Sequence, residues 1–413
     1  MKIASLKFIN FKGIKNKEFE LGGKSAVFFG VNGVGKSNIL RGINLLFSNI
    51  INRVVKNRFK QGINIEFSDI SADAELCIIK ANFIFQPDDF VCEYGIIIER
   101  CKSRKHNKDS PKSINKYFEQ KYSNADTNIP IFVSYGVNRL VLDTPLRIKV
   151  KNTFDRESAY EKAIESRIDF RTFFEWFRYR EDFEYQKKFR ENKTYEDISL
   201  KTVRKAILDM FEGFSKLQTE RNPASMKINK GKTTLSFEQL SDGEKCTLAL
   251  IGDLARRLSL ANPSSKNPLH GEGVVLIDEI ELHMHPAWQR EILSKLKKTF
   301  PNIQFIITTH SHQVLGEIAE DFNIFSLENN NGEIGYSKIN SLIGWDSNYI
   351  LEDYMGTTSL NLQTKKLINS MYKDYENGDY NTAKKKSLEL EKMTDSAHED
   401  VVKINILLNR VGL

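Results

Sequence analysis

The chain has 413 residues, with 61 Lys and Arg against 54 Asp and Glu and a formal charge of +7, enough for one large α/β domain with insertions or for two to three ordinary domains. No apolar run approaches the roughly 18 residues of a membrane span, and Met1-Lys2-Ile3-Ala4 begins a strand-like pattern rather than a signal peptide, so the chain reads as cytoplasmic with no membrane partner. Cys77, Cys92, Cys101 and Cys246 form no CxxC pair, which excludes a zinc knuckle and a disulfide framework, while the mild positive excess suits a nucleic-acid partner and an ordinary enzyme alike.

In chain order, Met1 to Glu20 alternates apolar and polar residues around Lys12-Gly13, which predicts a hairpin laid beside the following strand. That strand, Ala26 to Phe29, stops at Gly30-Val31-Asn32-Gly33-Val34-Gly35-Lys36-Ser37-Asn38 and leads into a helical pattern of Ile39, Leu40, Ile43, Leu46 and Phe47. Gly30, Gly33, Gly35, Lys36 and Ser37 fill GxxxxGKS. In that pattern glycines let backbone amides curl around a phosphate, the lysine neutralises it, and the hydroxyl ligates Mg²⁺. Asn32, Gly33, Gly35, Lys36, Ser37 and Asn38 are therefore candidate contacts to a nucleoside triphosphate, with Ser37 also a metal ligand.

Asn49 to Gln61 is basic and reads as a solvated face, and Ala74 to Ile84 resumes strand patterning. Arg100 to Lys121 holds seven Lys and Arg beyond Arg100 with few large apolar residues and is expected to be a surface loop. Ile129 to Val133 predicts a buried strand leading to Arg139, at the strand end where α/β nucleotide folds bind ligands; position alone leaves open whether its side chain faces the site.

Asp155 to Gly213 reads as helical without heptads, so it is not a coiled-coil arm. Phe170 to Phe189 interleaves aromatics with Arg and Lys, a pattern that can stack bases. Glu175, Glu181, Asp182 and Glu184 interrupt the positive field, and a helix buried on one side explains the spacing better. Met226 to Phe237 reads as a hairpin about Asn229-Lys230-Gly231-Lys232. Then Leu240-Ser241-Asp242-Gly243-Glu244 opens a helix, where Ser241 and Gly243 could present amides and a hydroxyl to an anion. Val274 to Ile277 and Ile303 to Ile307 are apolar strands separated by a helix from Pro286 to Lys298, an alternation that implies a parallel sheet. Leu351 to Leu413 is helical, with a turn at Gly378-Asp379 between antiparallel helices.

The strand tips carry the chemistry. Asp278 and Glu279 end the first of these strands, and adjacent residues there point apart, so Asp278 can serve Mg²⁺ and Glu279 can act as general base on a water. His310 follows the next strand and is placed to hold the γ-phosphate and that water. His283 and His285 are two apart with no cysteine or third histidine near, which argues against zinc and for contacts with nucleotide or across an interface.

Together these motifs resemble an ABC-type ATPase head of the SMC, RecF and OLD group: Walker A at Gly30 to Ser37, signature at Leu240 to Glu244, Walker B at Val274 to Glu279 and switch histidine at His310. Lys7-Phe8-Ile9-Asn10-Phe11-Lys12-Gly13 resembles the opening strand that lines the adenine pocket in that group, which implies a nucleotide contact from Lys12. The match covers about residues 1 to 150 and 232 to 330. The resemblance implies an α/β head with a mainly parallel central sheet, split as 1–150 (N-terminal lobe), 151–231 (mainly helical insertion), 232–340 (C-terminal lobe) and 341–413 (helical partner-binding subdomain). It also implies a homodimer that sandwiches ATP, with Ser241 of one copy capping the γ-phosphate held by Lys36 of the other. Two features depart from the group: no Asp follows Walker B in Ile280 to Pro286, and the Q-loop glutamine is unassigned, Gln86 being a candidate.

Within the group, Ile277 to Pro286 and Thr308 to Val314 resemble bacterial anti-phage ATPases of the PtuA type, from Septu and retron systems. That family implies assembly with a separate HNH nuclease and, in the retron setting, with a reverse transcriptase and its DNA. The alternative is a DNA-repair ATPase like RecF that binds DNA directly. A self-contained OLD-type nuclease would need an acidic metal-binding module after residue 340, which the helical tail does not offer.

Overall fold

Ser25–Phe29 (β3), Ile131–Tyr135 (β7), Gly273–Ile277 (β11) and Ile303–Thr309 (β12) are buried at every residue. Strands covered on both faces are apolar throughout instead of alternating, the condition for a parallel sheet. With Phe322–Asn330 (β13) and Glu333–Ile339 (β14) they form a six-stranded sheet in the order β14-β13-β3-β12-β11-β7, parallel except for β14. The carboxyl ends of β3, β12, β11 and β7 therefore share one edge, where such sheets bind ligands. The computed structural model describes residues 1–55, 63, 65–85, 90–100, 102–106, 111–122, 127–139, 154–191, 193–222, 224–318, 320–330, 332–345, 349–354, 361–394 and 398–412. They divide into two units, Met1–Trp345 and Asp346–Leu413.

The opening hairpin, Lys2–Phe11 (β1) and Ile14–Glu20 (β2), does not join β3. It pairs through β1 with Leu76–Phe85 (β4) in a second, antiparallel sheet completed by Phe90–Glu99 (β5) and Lys102–His106 (β6). One face of β1 is buried and the other only partly so, unlike β3, and a one-faced strand belongs in a sheet packed on one side. Phe19 closes the seam with its ring edge-on to Phe28 at 5.3 Å and to Phe325 at 5.5 Å. The Gln304 amide ties the two sheets by donating to the carbonyls of Ile3 (2.9 Å) and Lys24 (2.8 Å) and accepting from the Ile3 amide (2.6 Å).

The stretch expected to be a loop between Arg100 and Lys121 instead holds β6 and a helix at Pro111–Tyr122 (α2). Lysine-rich sequence is at home on an edge strand, and Ile114 and Phe118, one turn apart, suffice to bury one face of α2. Arg58-Phe59-Lys60, Gln86 and Cys101 lie outside the described residues.

The middle of the chain supplies Phe170–Arg190 (α3), Ile198–Met210 (α4) and a three-stranded sheet of Phe214–Arg221 (β8), Ala224–Lys230 (β9) and Thr233–Ser236 (β10). Strand β8 begins just past the helical reading of Asp155 to Gly213, within the 151–231 insertion expected to be mainly helical; only Phe214, Leu217 and Thr219 of it are buried. The aromatic run of α3 divides: Phe170, Phe173, Phe174, Trp176 and Phe177 are core, whereas Phe189 is 91% exposed. The acidic residues that break up its charge pair with the basic ones, Glu181 and Glu184 from buried positions and Asp182 from a half-exposed one. Glu181 binds Arg204 at 2.8 Å, Glu184 binds Arg204 at 3.1 Å, and Asp182 binds Arg221 at 2.5 Å.

Asp242–Ala261 (α5) runs through the interior and places Asp253 against two guanidiniums, Arg256 at 2.7 Å and Arg257 at 2.7 Å, with the Tyr135 hydroxyl donating at 2.9 Å. Pro286–Thr299 (α6) and His312–Leu315 (α7) follow. The second unit consists of Leu362–Glu376 (α8), Tyr380–Met393 (α9) and Glu399–Arg410 (α10) around Ile368, Met371, Ala383, Leu390, Val401, Ile404 and Leu408. Gly378, at φ +81°, makes the turn and Asp379 caps α9 by accepting from Thr382 N at 3.1 Å. Among the described residues no helix is long and apolar enough to cross a membrane.

Burial alone would raise the pKa of Asp253; the charges of Arg257 and Arg256 overcome it and hold the carboxyl at about 2, against 3.8 for an ordinary aspartate. Because the folded value is the lower, the linked stability is complete above about pH 4 and is lost as pH falls towards 2. Asp253→Asn leaves two buried cations without their anion and is expected to cost about 3–5 kcal/mol at pH 7 in urea titrations, with a smaller cost at pH 3.

Candidate nucleotide-binding site

Four segments leave the shared edge of the central sheet. After β3 come Gly30 to Gly35 and then Lys36–Val54 (α1), whose first turn carries Lys36, Ser37 and Asn38. Asn32, Gly33, Gly35, Lys36, Ser37, Asn38, Glu279 and His310 line one cleft of about 570 Å³. The loop residues meet there because β3 and α1 are consecutive. Glu279 and His310 meet them because β12 lies between β3 and β11.

Gly35 shows why the loop needs glycine. Its φ is +103°, and a Cβ there would lie 2.2 Å from Cδ1 of Ile334 on β14. Ile334 in turn donates its amide to the Gly13 carbonyl at 2.8 Å, so β14 backs both the phosphate loop and the β1–β2 turn. The Lys36 ammonium donates to the carbonyls of Gly30 (2.7 Å) and Val31 (3.0 Å). Burial pulls its pKa below the ordinary lysine value, against the upward pull of Glu279, Glu281 and Asp278. A phosphate in the loop would give this cation the counter-charge that the carbonyl dipoles only approximate.

Asp278 accepts from the Ser37 hydroxyl at 2.9 Å and from Thr308 at 2.5 Å, while its amide donates to Tyr135 at 2.8 Å. One hydroxyl and one carboxylate facing each other are the hard oxygen set that fits Mg²⁺, an ion that keeps several waters and completes its shell from phosphate. Among the described residues no group of three or more His, Cys, Asp or Glu is arranged to hold a metal, so the His283 and His285 pair builds no cage. His285 instead caps α6, its Nδ1 accepting from Ala287 N at 3.3 Å.

Glu279 stands in the left-handed region at φ +48°. Its amide donates to Thr308 Oγ1 at 2.8 Å, its carbonyl accepts from Arg139, and its Oε1 lies 2.8 Å from His310 Nε2. A non-glycine residue costs about 1–3 kcal/mol in sparsely populated backbone regions and stays there when both of its peptide groups are held. Arg139 is 3% exposed and is not among the residues lining the cleft, so its side chain braces Glu279 from behind. Burial lowers its pKa, opposed by Cys246, Glu281, Asp278 and Glu279.

Three further expected nucleotide contacts, Ser241 among them as a contact to a second copy, do not line this cleft. The Lys12 ammonium is 3.3 Å from Asp69, a buried carboxylate that also binds Arg41 of α1 at 2.6 Å, and Lys12 is not part of the cleft lining. Ser241 is exposed at the start of α5, where it shares a capping box with Glu244, and Gly243 behind it packs on the His283 backbone, to which a Cβ would approach within 2.3 Å. Neither lines the cleft of its own chain. Glu281 and Thr308 were missed by sequence reasoning; a threonine one residue after an apolar strand carries no distinctive signal.

The family model described as "AAA domain, putative AbiEii toxin, Type IV TA system" matches residues 25–316, from β3 to just past His310. The Retron Ec83 probable ATPase of Escherichia coli is 31% identical over 391 residues, covering 80% of this chain and 72% of that protein. Septu protein PtuA of Bacillus thuringiensis is 26% identical over 366 residues, covering 86% and 84%. Among solved structures, an SmcHead bound to the C-winged helix domain of ScpA aligns with a TM-score of 0.53 at 16% identity, over 82% of this chain and 98% of that one, a likeness of fold.

Gly35→Ala tests the packing of the loop. Strain at this position is expected to cost about 1–3 kcal/mol, about 5- to 150-fold in affinity for Mg·ATP by calorimetric titration. Adding Ile334→Ala removes the clash but not the positive φ, and should restore part of the loss.

Proposed function

Because the chain belongs to the AAA-domain family whose model covers residues 25–316, we propose that it binds and slowly hydrolyses ATP as the regulatory subunit of a cytoplasmic anti-phage defence complex. The observation that carries the enzymatic part is the Glu279–His310 pair, 2.8 Å apart and facing the cleft that Lys36, Ser37 and Asn38 share. Backbone amides of Asn32 to Lys36 cradle the phosphates, and Lys36 exchanges its loop carbonyls for them. Ser37 and Asp278 would hold Mg²⁺, which would offset the phosphate charge. Glu279 takes a proton from the attacking water, and His310 orients that water and the γ-phosphate.

Ser241 supports the homodimer reading. It is exposed and outside its own cleft, and by turning its hydroxyl from the capping box with Glu244 it would cap the nucleotide of a second copy, a symmetric arrangement in which each protomer gives and receives one serine. The defence role rests on the Septu and retron relatives. An HNH nuclease subunit is the partner we assign to the helical tail, whose α9 exposes Leu388 and whose α10 exposes Val402 and Ile406 one turn apart. The reading as a DNA-binding repair ATPase is weakened by Arg180, Arg204 and Arg221, whose charges are matched by Asp197, Glu181, Glu184 and Asp182.

Glu279→Gln is expected to lower steady-state phosphate release by about 10²- to 10⁴-fold while ATP still binds. Hydrolysis at the parental rate would remove Glu279 from the role of base. Ser241→Arg should leave ATP binding by one protomer intact and abolish the ATP-dependent increase in sedimentation coefficient. Truncation before Asp346 should release a co-expressed HNH subunit in affinity purification with nucleotide binding preserved, and retained co-purification would take the tail out of that role.

A further inference from the structure

The residue two places beyond the proposed base is the glutamate of Ile280-Glu281-Leu282. Its Oε1 accepts the His310 backbone amide at 2.6 Å and its Oε2 accepts the Thr309 hydroxyl at 2.8 Å. Thr309 Oγ1 also accepts from Ser311 N at 3.0 Å, so one carboxylate gathers the whole turn that carries the switch histidine. Glu281 does not line the cleft and does not touch the His310 ring. The only described groups it grips are the backbone and hydroxyl that fix where the ring starts.

We propose that Glu281 is a positioning residue: by clamping the end of β12 through His310 N and Thr309 Oγ1, it sets the distance between the His310 ring and the Glu279 carboxylate. The inference rests on the reading of Glu279 and His310 as the water-handling pair. The two members of that pair sit on different strands, Glu279 after β11 and His310 after β12, so their 2.8 Å separation depends on how the two strand ends are joined. Four contacts join them: Thr308 Oγ1 accepts from the Glu279 amide at 2.8 Å and donates to Asp278 at 2.5 Å, the Ile280 amide donates to the Thr308 carbonyl at 3.1 Å, and Glu281 supplies its clamp. Of these the clamp alone engages His310 itself. Charge-assisted bonds from a carboxylate to a backbone amide are among the stronger hydrogen bonds, and reactive groups need placement to within about 0.5 Å.

The test uses the full chain carrying Glu281→Gln, Glu281→Ala and Thr309→Val, with Glu279→Gln and His310→Ala in parallel. Glu281→Gln keeps the shape but accepts through one oxygen only, and is expected to lower kcat by about 10- to 100-fold while the Kd for ATP stays within about twofold and the melting temperature is unchanged. Glu281→Ala should fall further and Thr309→Val less. In protein labelled with ¹⁵N-histidine, the His310 amide resonance, assigned with His310→Ala, should move upfield in Glu281→Gln. A kcat within about twofold of the parent in Glu281→Gln, with His310→Ala inactive, would overturn the positioning role and leave the pair intact. A kcat that falls in step with ATP affinity and melting temperature would make Glu281 merely structural and overturn it equally. Hydrolysis retained in both Glu279→Gln and His310→Ala would remove the pair itself, and the role of Glu281 with it.

Discussion

The Asp278 carboxylate is the joint on which the site depends. It receives hydroxyls from Ser37 on α1 and Thr308 on β12, and its own amide reaches across to Tyr135 on β7, so three elements that are distant in sequence are fixed to one strand end. A partly buried carboxylate is stable only with donors or a cation around it. The same demand sets the Ser37 hydroxyl against the carboxylate, an oxygen pair of the kind that suits a hard cation. The parallel sheet makes this possible by delivering every strand end to one edge. The antiparallel sheet contributes support from outside, through Phe19 and Gln304, without entering the cleft.

Much of this arrangement is legible in the sequence because it depends on local chemistry. The Gly30 to Ser37 loop is a contiguous run whose glycines and lysine suit a phosphate and whose serine suits its metal ion, and Asp278, Glu279 and His310 follow apolar strands that pair as parallel neighbours. What was not legible depends on pairing. Whether β1 joins β3 or β4 is decided by which strand needs one covered face and which needs two, a property of the packed sheet. The lysine-rich β6 and α2 read as loop because edge strands and one-faced helices need few apolar residues. Arg139, Lys12 and Glu281 show the limit most clearly. Each is a charged residue near the site in sequence, yet Arg139 braces a carbonyl, Lys12 pairs with Asp69 and Glu281 holds an amide.

The helical middle of the chain has a related lesson in electrostatics. Its aromatic and basic pattern looks like a surface for nucleic acid until the carboxylates are placed. Glu181, with no exposed surface, and Glu184 and Asp197, almost without any, collect guanidiniums from α3, α4 and β8, so charge that looks available in the sequence is spent internally. The aromatics of the first half of α3 are core because the helix lies against α5 there.

Lys36 gives the phosphate loop a character of its own. Its ammonium is held by two carbonyls of the loop it serves, so the loop is wrapped around a cation. The chain thus orders part of the loop through its own lysine, and a phosphate that drew this ammonium to itself would have to displace those two carbonyls, so the loop carries a built-in competitor for its own cation.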